Sequence, residues 1–234
     1  MREAVPELVT LHLWRVPRRA VPAAVLRTGV DRRAVRGTAG VGFAKLLGTG
    51  DGGSFRARDA DPRRWGLLAS WADHAAARAF ERSTVADRWR RLAEETWRVE
   101  LRPLSARGRW SGREPFGRPG PRRWDGPVAA VTRARLRPSR ARVFWRAVPA
   151  VAADLRDQPG LRLAVGIGEA PVGLQGTFSL WDSAAALRRF AYAGAAHSAV
   201  IARTAPERWY AEELFARFGV EAADGTVDGR DPLA

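Results

Sequence analysis

The chain of 234 residues contains no cysteine. Disulfide frameworks and thiolate-bound metals or clusters are therefore excluded. Histidine is scarce and dispersed, at His12, His74 and His197 only. Without thiols, and with no H-E-x-x-H pairing, a multi-ligand zinc site is not expected. No Ser-His-Asp set and no paired-carboxylate pattern stands out. The glycine-rich segment GIGEAPVGLQG (166–176) lacks a following G-K-[ST], so it is not a phosphate loop. No stretch approaches the roughly 20 apolar residues that span a bilayer. Glu3 and Glu7 interrupt the region where a secretory leader would need an apolar run. These absences lead to the expectation of a cytoplasmic protein.

Lysine is almost absent too. Lys45 is the one lysine, and arginine supplies the rest of a net charge of +15. Such a charge calls for an anionic partner, either nucleic acid or an acidic membrane surface. The arginines are scattered, with no basic tail and no arginine–aromatic stripe. Together with heavy alanine use they read as a coding bias, so no nucleic acid is expected as a partner. Peripheral attraction to an anionic leaflet stays open.

The chain does contain an internal repeat. Gly66, Trp71, Ala76, Arg78 and Phe80 each match an identical residue 110 positions later: Gly176, Trp181, Ala186, Arg188 and Phe190. Upstream, FAKLLGTG (43–50) corresponds to LAVGIGEA (163–170), and VTLHLWRV (9–16) loosely to VAAVTRARL (128–136). Alternation in VTLHLWRV, FAKLL, WGLLASW (65–71) and RVELRPL (98–104) predicts strands. VPAAVLRTGV (21–30), HAAARAF (74–80) behind an Asp73 cap, and DRWRRLAEETW (87–97) predict helices. In the second half SRARVFWRAVPAVAADL (139–155) predicts a helix broken near Pro149. LRLAVGIG, LQGTFSLW, SAAALRRFAY and PERWYAEELFARF then repeat the order.

This is a βαββαβ unit used twice. The expected fold is α+β: tandem ferredoxin-like repeats forming one dimeric-type α+β barrel, with helices outside and an apolar pocket within. The alternative is two separate sandwich domains. The first repeat covers 1–110, a Gly/Pro/Arg-rich linker 111–126, and the second repeat 127–234. The linker is short for independent domains. The tail ADGTVDGRDPLA is expected to pack irregularly on the surface.

The second-half segments GPVAAVTRARLRPS, FWRAVP, VGIGEAPVGLQGTFSLWD, FAYAGAAHSAVIART, WYAEELFARF and GTVDGRDPL resemble the spheroidene monooxygenase family. So do KLLGTG and LSARGRWSGREPF in the first half. The resemblance implies a haem-dependent monooxygenase that oxygenates a carotenoid or another elongated apolar molecule. O2 and electrons from a ferredoxin-like donor would drive it. A non-catalytic haem- or lipid-binding barrel and a haem enzyme of peroxidase-like chemistry are the alternatives. Two positions depart from the family pattern. Leu174 stands where a histidine is usual, and Val227 where a tryptophan is usual, which leaves the substrate open.

His197 shares a helical face with Val200 and Ile201. The residues alone allow either a core histidine or a metal ligand. The resemblance makes His197 the candidate axial ligand of haem iron, a role that suits a neutral imidazole. Arg203 on the same segment and Lys45 are then candidate partners for haem propionates. Gln175 and Glu169 flank glycines that would let backbone approach a flat ligand. His74 is expected at the surface. Trp14, Trp71, Trp145, Trp181 and Trp209 are expected to be buried, most of them as core and some as lining for an apolar substrate. Glu212 and Glu213 are expected on a solvated helix face.

Overall fold

Strand alternation and two capped helices set the architecture of the first half. The structure is a computed structural model that describes residues 4–51, 59–137, 155, 157–169, 174–193 and 210–234. The elements in order are β1 (Leu8–Arg15), α1 (Val21–Arg36), β2 (Val41–Gly50), β3 (Ala60–Trp71), α2 (His74–Glu81), α3 (Thr84–Leu92) and β4 (Glu95–Gly108). The second half adds β5 (Val128–Leu136), β6 (Leu161–Gly168), β7 (Leu174–Trp181), α4 (Ala184–Ala193) and β8 (Tyr210–Gly225). Asp73 caps α2 by accepting from the backbone N–H of Ala76, as its sequence position predicts. The expected helix 139–155 lies outside the described residues except for Leu155.

All strand pairs are antiparallel, and the sheet closes into a barrel in the order β1-β3-β2-β6-β7-β5-β8-β4. Within each half the order is the same: β4-β1-β3-β2, then β8-β5-β7-β6. The halves join along β4–β8 and, over three residue pairs, along β2–β6.

Alternate residues face inward. Val9, Leu11 and Leu13 on β1, Phe43 and Leu47 on β2, and Trp97, Val99 and Leu101 on β4 meet Phe178, Leu180 and Phe218 from the second half. All are buried. This interior is filled by side chains, as small barrels generally are. The expected apolar pocket inside the barrel is therefore corrected to a packed core. Large aromatic and β-branched residues from eight strands occupy the space.

Three further expectations change. The run 87–97 is not one helix: α3 ends at Leu92 and β4 starts at Glu95. YAEELFARF is strand rather than helix, because Leu214, Ala216 and Phe218 alternate into the core with a period of two. The tail is not irregular packing. Val227 is buried in the core and pairs with Arg230 in a tight hairpin.

That hairpin has a counterpart. After β4, Gly108-Arg-Trp-Ser-Gly-Arg-Glu-Pro-Phe116 follows the pattern of Gly225-Thr-Val-Asp-Gly-Arg-Asp-Pro-Leu233 after β8. Trp110 pairs with Arg113 as Val227 pairs with Arg230. The two non-glycine residues with positive φ among the described residues, Ser111 and Asp228, are equivalent. Trp110 and Phe116 plug one end of the barrel and Val227 the other.

Candidate functional site

The ladder registers superimpose the two halves residue by residue. Leu13 faces Trp97 as Arg133 faces Leu214. Leu46 faces Leu67 as Gly166 faces Thr177. Two differences between the halves follow, one inside the barrel and one outside.

Inside, a charged cluster lies under the Trp110 plug. Lys45 sits between Phe43 and Leu47, on the inward face of β2. Its ammonium donates to Glu169 Oε2 at 2.6 Å and to Ser111 Oγ at 2.7 Å. Arg133 donates to Glu212, and its other Nη lies 3.4 Å from Glu169 Oε1. The Trp110 indole N–H also donates to Glu169, and the Arg133 guanidinium lies 5.6 Å from the Trp110 ring centre. The backbone N–H groups of Ser111 and Gly112 donate to Glu212 at 3.0 and 2.7 Å. Burial works to raise the Glu169 carboxyl, but hydrogen bonds from Lys45 and Trp110 and the charges of Lys45 and Arg133 outweigh it. The group is held below the usual carboxylate range. Glu212 is lowered in the same way: the Gly112 and Ser111 N–H groups and Arg133 overcome its burial. At the other end of the barrel the equivalents of Lys45, Arg133 and Glu169 are Val165, Leu13 and Thr49. Only the carboxylate persists, as Glu95, accepting from the Gly229 N–H at 2.7 Å.

Two positive and two negative side chains thus pair with one another, Arg133 Nε alone among their atoms staying buried without a hydrogen bond, and they fasten the plug. Sequence reasoning singled out Lys45 and Glu169 but missed Arg133, Glu212 and Trp110. The signal that could have found them is the repeated G-x-x-x-G-R-[ED]-P hairpin.

Outside, the sheet faces differ in bulk. The outward residues of the first half include His12, Trp14, Leu46 and Leu67, packed under α1, α2 and α3. Trp14 stacks on Trp89 at 5.0 Å, and His12 stacks on Trp14 at 5.3 Å. Burial first, then the charges of Arg98 and Arg90, push the His12 imidazole down to about 3. Its 3.3 Å approach to Glu81 is thus a contact of a neutral ring. The corresponding positions in the second half are Thr132, Ala134, Gly166 and Thr177. Ala130 and Ser179 continue the same surface. The residues of this floor are smaller than the tryptophan, histidine and leucines of the first half; Ala130, Ala134, Gly166 and Ser179 are buried and Thr132 is exposed.

The other candidate residues sort as follows. His197 and Arg203 lie outside the described residues, as do Trp145 and Trp209. Gln175 stands opposite Ala134 in the β5–β7 ladder, beside the floor. Trp14, Trp71 and Trp181 are buried as expected. His74 begins α2 at the surface, with Glu100 and Glu221 close enough for one ligand atom from each to lie within 4.8 Å. Arg98 and Arg102 already pair with those carboxylates and supply the positive charge a cation would bring.

No family model matches the chain. Among solved structures, an aldoxime dehydratase in complex with butyraldoxime shares the fold, with a TM-score of 0.56 at 14% identity over 91% of this chain and 79% of that one. The spheroidene monooxygenase of Rubrivivax gelatinosus is 44% identical over 196 residues, 83% of this chain and 74% of that protein. The spheroidene monooxygenase of Rhodobacter capsulatus is 36% identical over 221 residues, 92% of this chain and 90% of that protein. With identity at that level along nearly its whole length, the chain belongs to the spheroidene monooxygenase family.

Proposed function

We propose that the chain is a haem-dependent monooxygenase of a carotenoid or similar elongated apolar substrate, working on the outer face of its second half. Membership of a family of monooxygenases supports an oxidoreductase. In this reading the two halves are tandem ferredoxin-like repeats of a dimeric-type barrel, one solid and one hollowed. The observation that carries the location is the small-residue floor of Ala130, Thr132, Ala134, Gly166, Thr177 and Ser179. A flat macrocycle needs an area of sheet without projecting side chains, and this face supplies one where the first half has tryptophan.

Haem, when bound, would supply the centre at which O2 is activated. His197 would hold the iron, and Arg203 would neutralise a propionate. Gln175, beside the floor, would offer an amide to the ligand's edge. Lys45 would reach an anionic group only by exchanging Glu169 for it, since its ammonium is already bound inside the barrel. The small-residue floor would leave room for a long chain to lie against the ring plane. Electrons would come from an acidic ferredoxin-like protein drawn to the basic surface.

The visible spectrum of protein expressed with haem supplied tests this. A Soret band is expected, with oxygenated carotenoid formed in cells that make the precursor. His197→Ala should lose the band. A colourless wild-type protein, or an unaltered band in the variant, would contradict the assignment.

A further inference from the structure

Helix α1 carries its polarity inside out. Its buried face is Ala24, Thr28, Asp31 and Val35, so half of the residues turned to the sheet are polar. The Thr28 hydroxyl is absorbed by the Ala24 carbonyl at 2.9 Å. The face turned away carries Pro22, Val25, Leu26, Gly29 and Val30. Leu26 is 69% exposed, Val30 63% and Val25 55%. Surface helices ordinarily turn such residues inward. Among the described residues, three of the four exposed large hydrophobics lie on this one helix. A side chain at Gly29 would meet nothing within 4 Å, so no neighbouring element shelters the ridge.

Arginines frame the ridge. Arg18 and Arg19 precede it, Arg27 flanks it, and Arg32, Arg33 and Arg36 close its last turns. The one carboxylate in this stretch, Asp31, is buried. Among the described residues none of these six arginines has an ion pair, although Arg32 donates to the Glu169 backbone carbonyl at 2.8 Å. Elsewhere in the fold, by contrast, Arg15, Arg63, Arg64, Arg98 and Arg102 are paired with carboxylates.

Unneutralised cations around a small apolar ridge match an anionic lipid interface. Headgroups would take the guanidinium groups, and the acyl boundary would take the aliphatic side chains. Three exposed side chains cover far less than the roughly 800 Å² per partner of a stable protein interface. A second copy of the chain or a protein partner is thus the poorer occupant. We propose that α1 lies in the plane of an anionic lipid surface with Val25, Leu26 and Val30 inserted and the flanking arginines on the headgroups. This does not depend on haem being bound.

The absence of native cysteine gives a direct test. Leu26→Cys provides a single attachment point for an environment-sensitive nitrobenzoxadiazole label. Its emission should rise and shift to the blue with vesicles of phosphatidylglycerol and phosphatidylcholine, but not with phosphatidylcholine alone. The same label at Arg91→Cys on α3, where the native side chain is 79% exposed, should not respond. In sedimentation, Leu26→Glu/Val30→Glu should bind the anionic vesicles about tenfold less than wild type, with an undiminished melting temperature. Binding by wild type with no response at position 26, or equal binding by the double variant, would leave only the general positive charge and overturn the proposal. So would absence of vesicle binding. A lipid-free dimer that the double variant dissolves would give the ridge to a second copy instead.

Discussion

At the scale of single residues, the charged cluster and His12 make opposite uses of burial. Glu169 and Glu212 stay charged because each finds opposite charge or N–H donors. Removing Lys45 leaves Glu169 with the Trp110 N–H and Arg133 alone. Lys45→Met should therefore cost about 1–3 kcal/mol in urea unfolding, and Lys45→Met/Glu169→Leu should recover much of it. Glu169 and Glu212 are lowered in the folded state. The stability they contribute is complete above the unfolded carboxylate value and is lost as pH falls through their folded values. His12 is lowered as well, to about 3. Between its unfolded value and that point the unfolded chain binds the extra proton. Stability should therefore decline as pH drops below about 6.5, at up to about 1.4 kcal/mol per pH unit. His12→Phe should flatten that slope between pH 6.5 and 5, read from urea midpoints. An equally steep profile in the variant would refute the assignment. The sequence marked Lys45 by its rarity. It could not show which carboxylate would meet it, because β2, β5, β6 and β8 come together only when the barrel closes.

At the scale of elements, the paired plug hairpins matter most. Gly225 has φ +92°, and a Cβ there would lie 2.1 Å from the Thr96 carbonyl oxygen. Gly108 is held alike against Glu213. Gly225→Ala should destabilise by about 2 kcal/mol or more through strain and clash. The loss would appear as a lower thermal midpoint with the secondary structure retained. Most strands and three of the four described helices were legible from period and capping. The errors fell where local chemistry misleads. YAEEL has good helix formers, yet its Leu214, Ala216 and Phe218 obey the period of a strand. The tail looks polar because its apolar residues, Val227 and Leu233, are two single plugs rather than a run.

At the scale of the whole molecule, the two halves of the barrel share one strand order and differ on their outer faces. The first half carries a stack of Trp14, Trp89 and His12 there. The second has alanine, glycine, serine and threonine at the matching positions, while the shared interior is filled from both. No helix among the described residues is long and apolar enough to cross a membrane. The repeat itself was visible in the sequence. The gathering of small residues on one outer face was not, because it requires matching residues across ladders whose spacing differs from strand to strand. The most direct test installs the first half's bulk in the second. Thr132→Trp, at the exposed position of that floor, should leave the haem-free melting temperature within about 2 °C of wild type. It should also abolish the Soret shift on titration with haem. An unchanged titration would show that the small-residue floor is not where the cofactor lies.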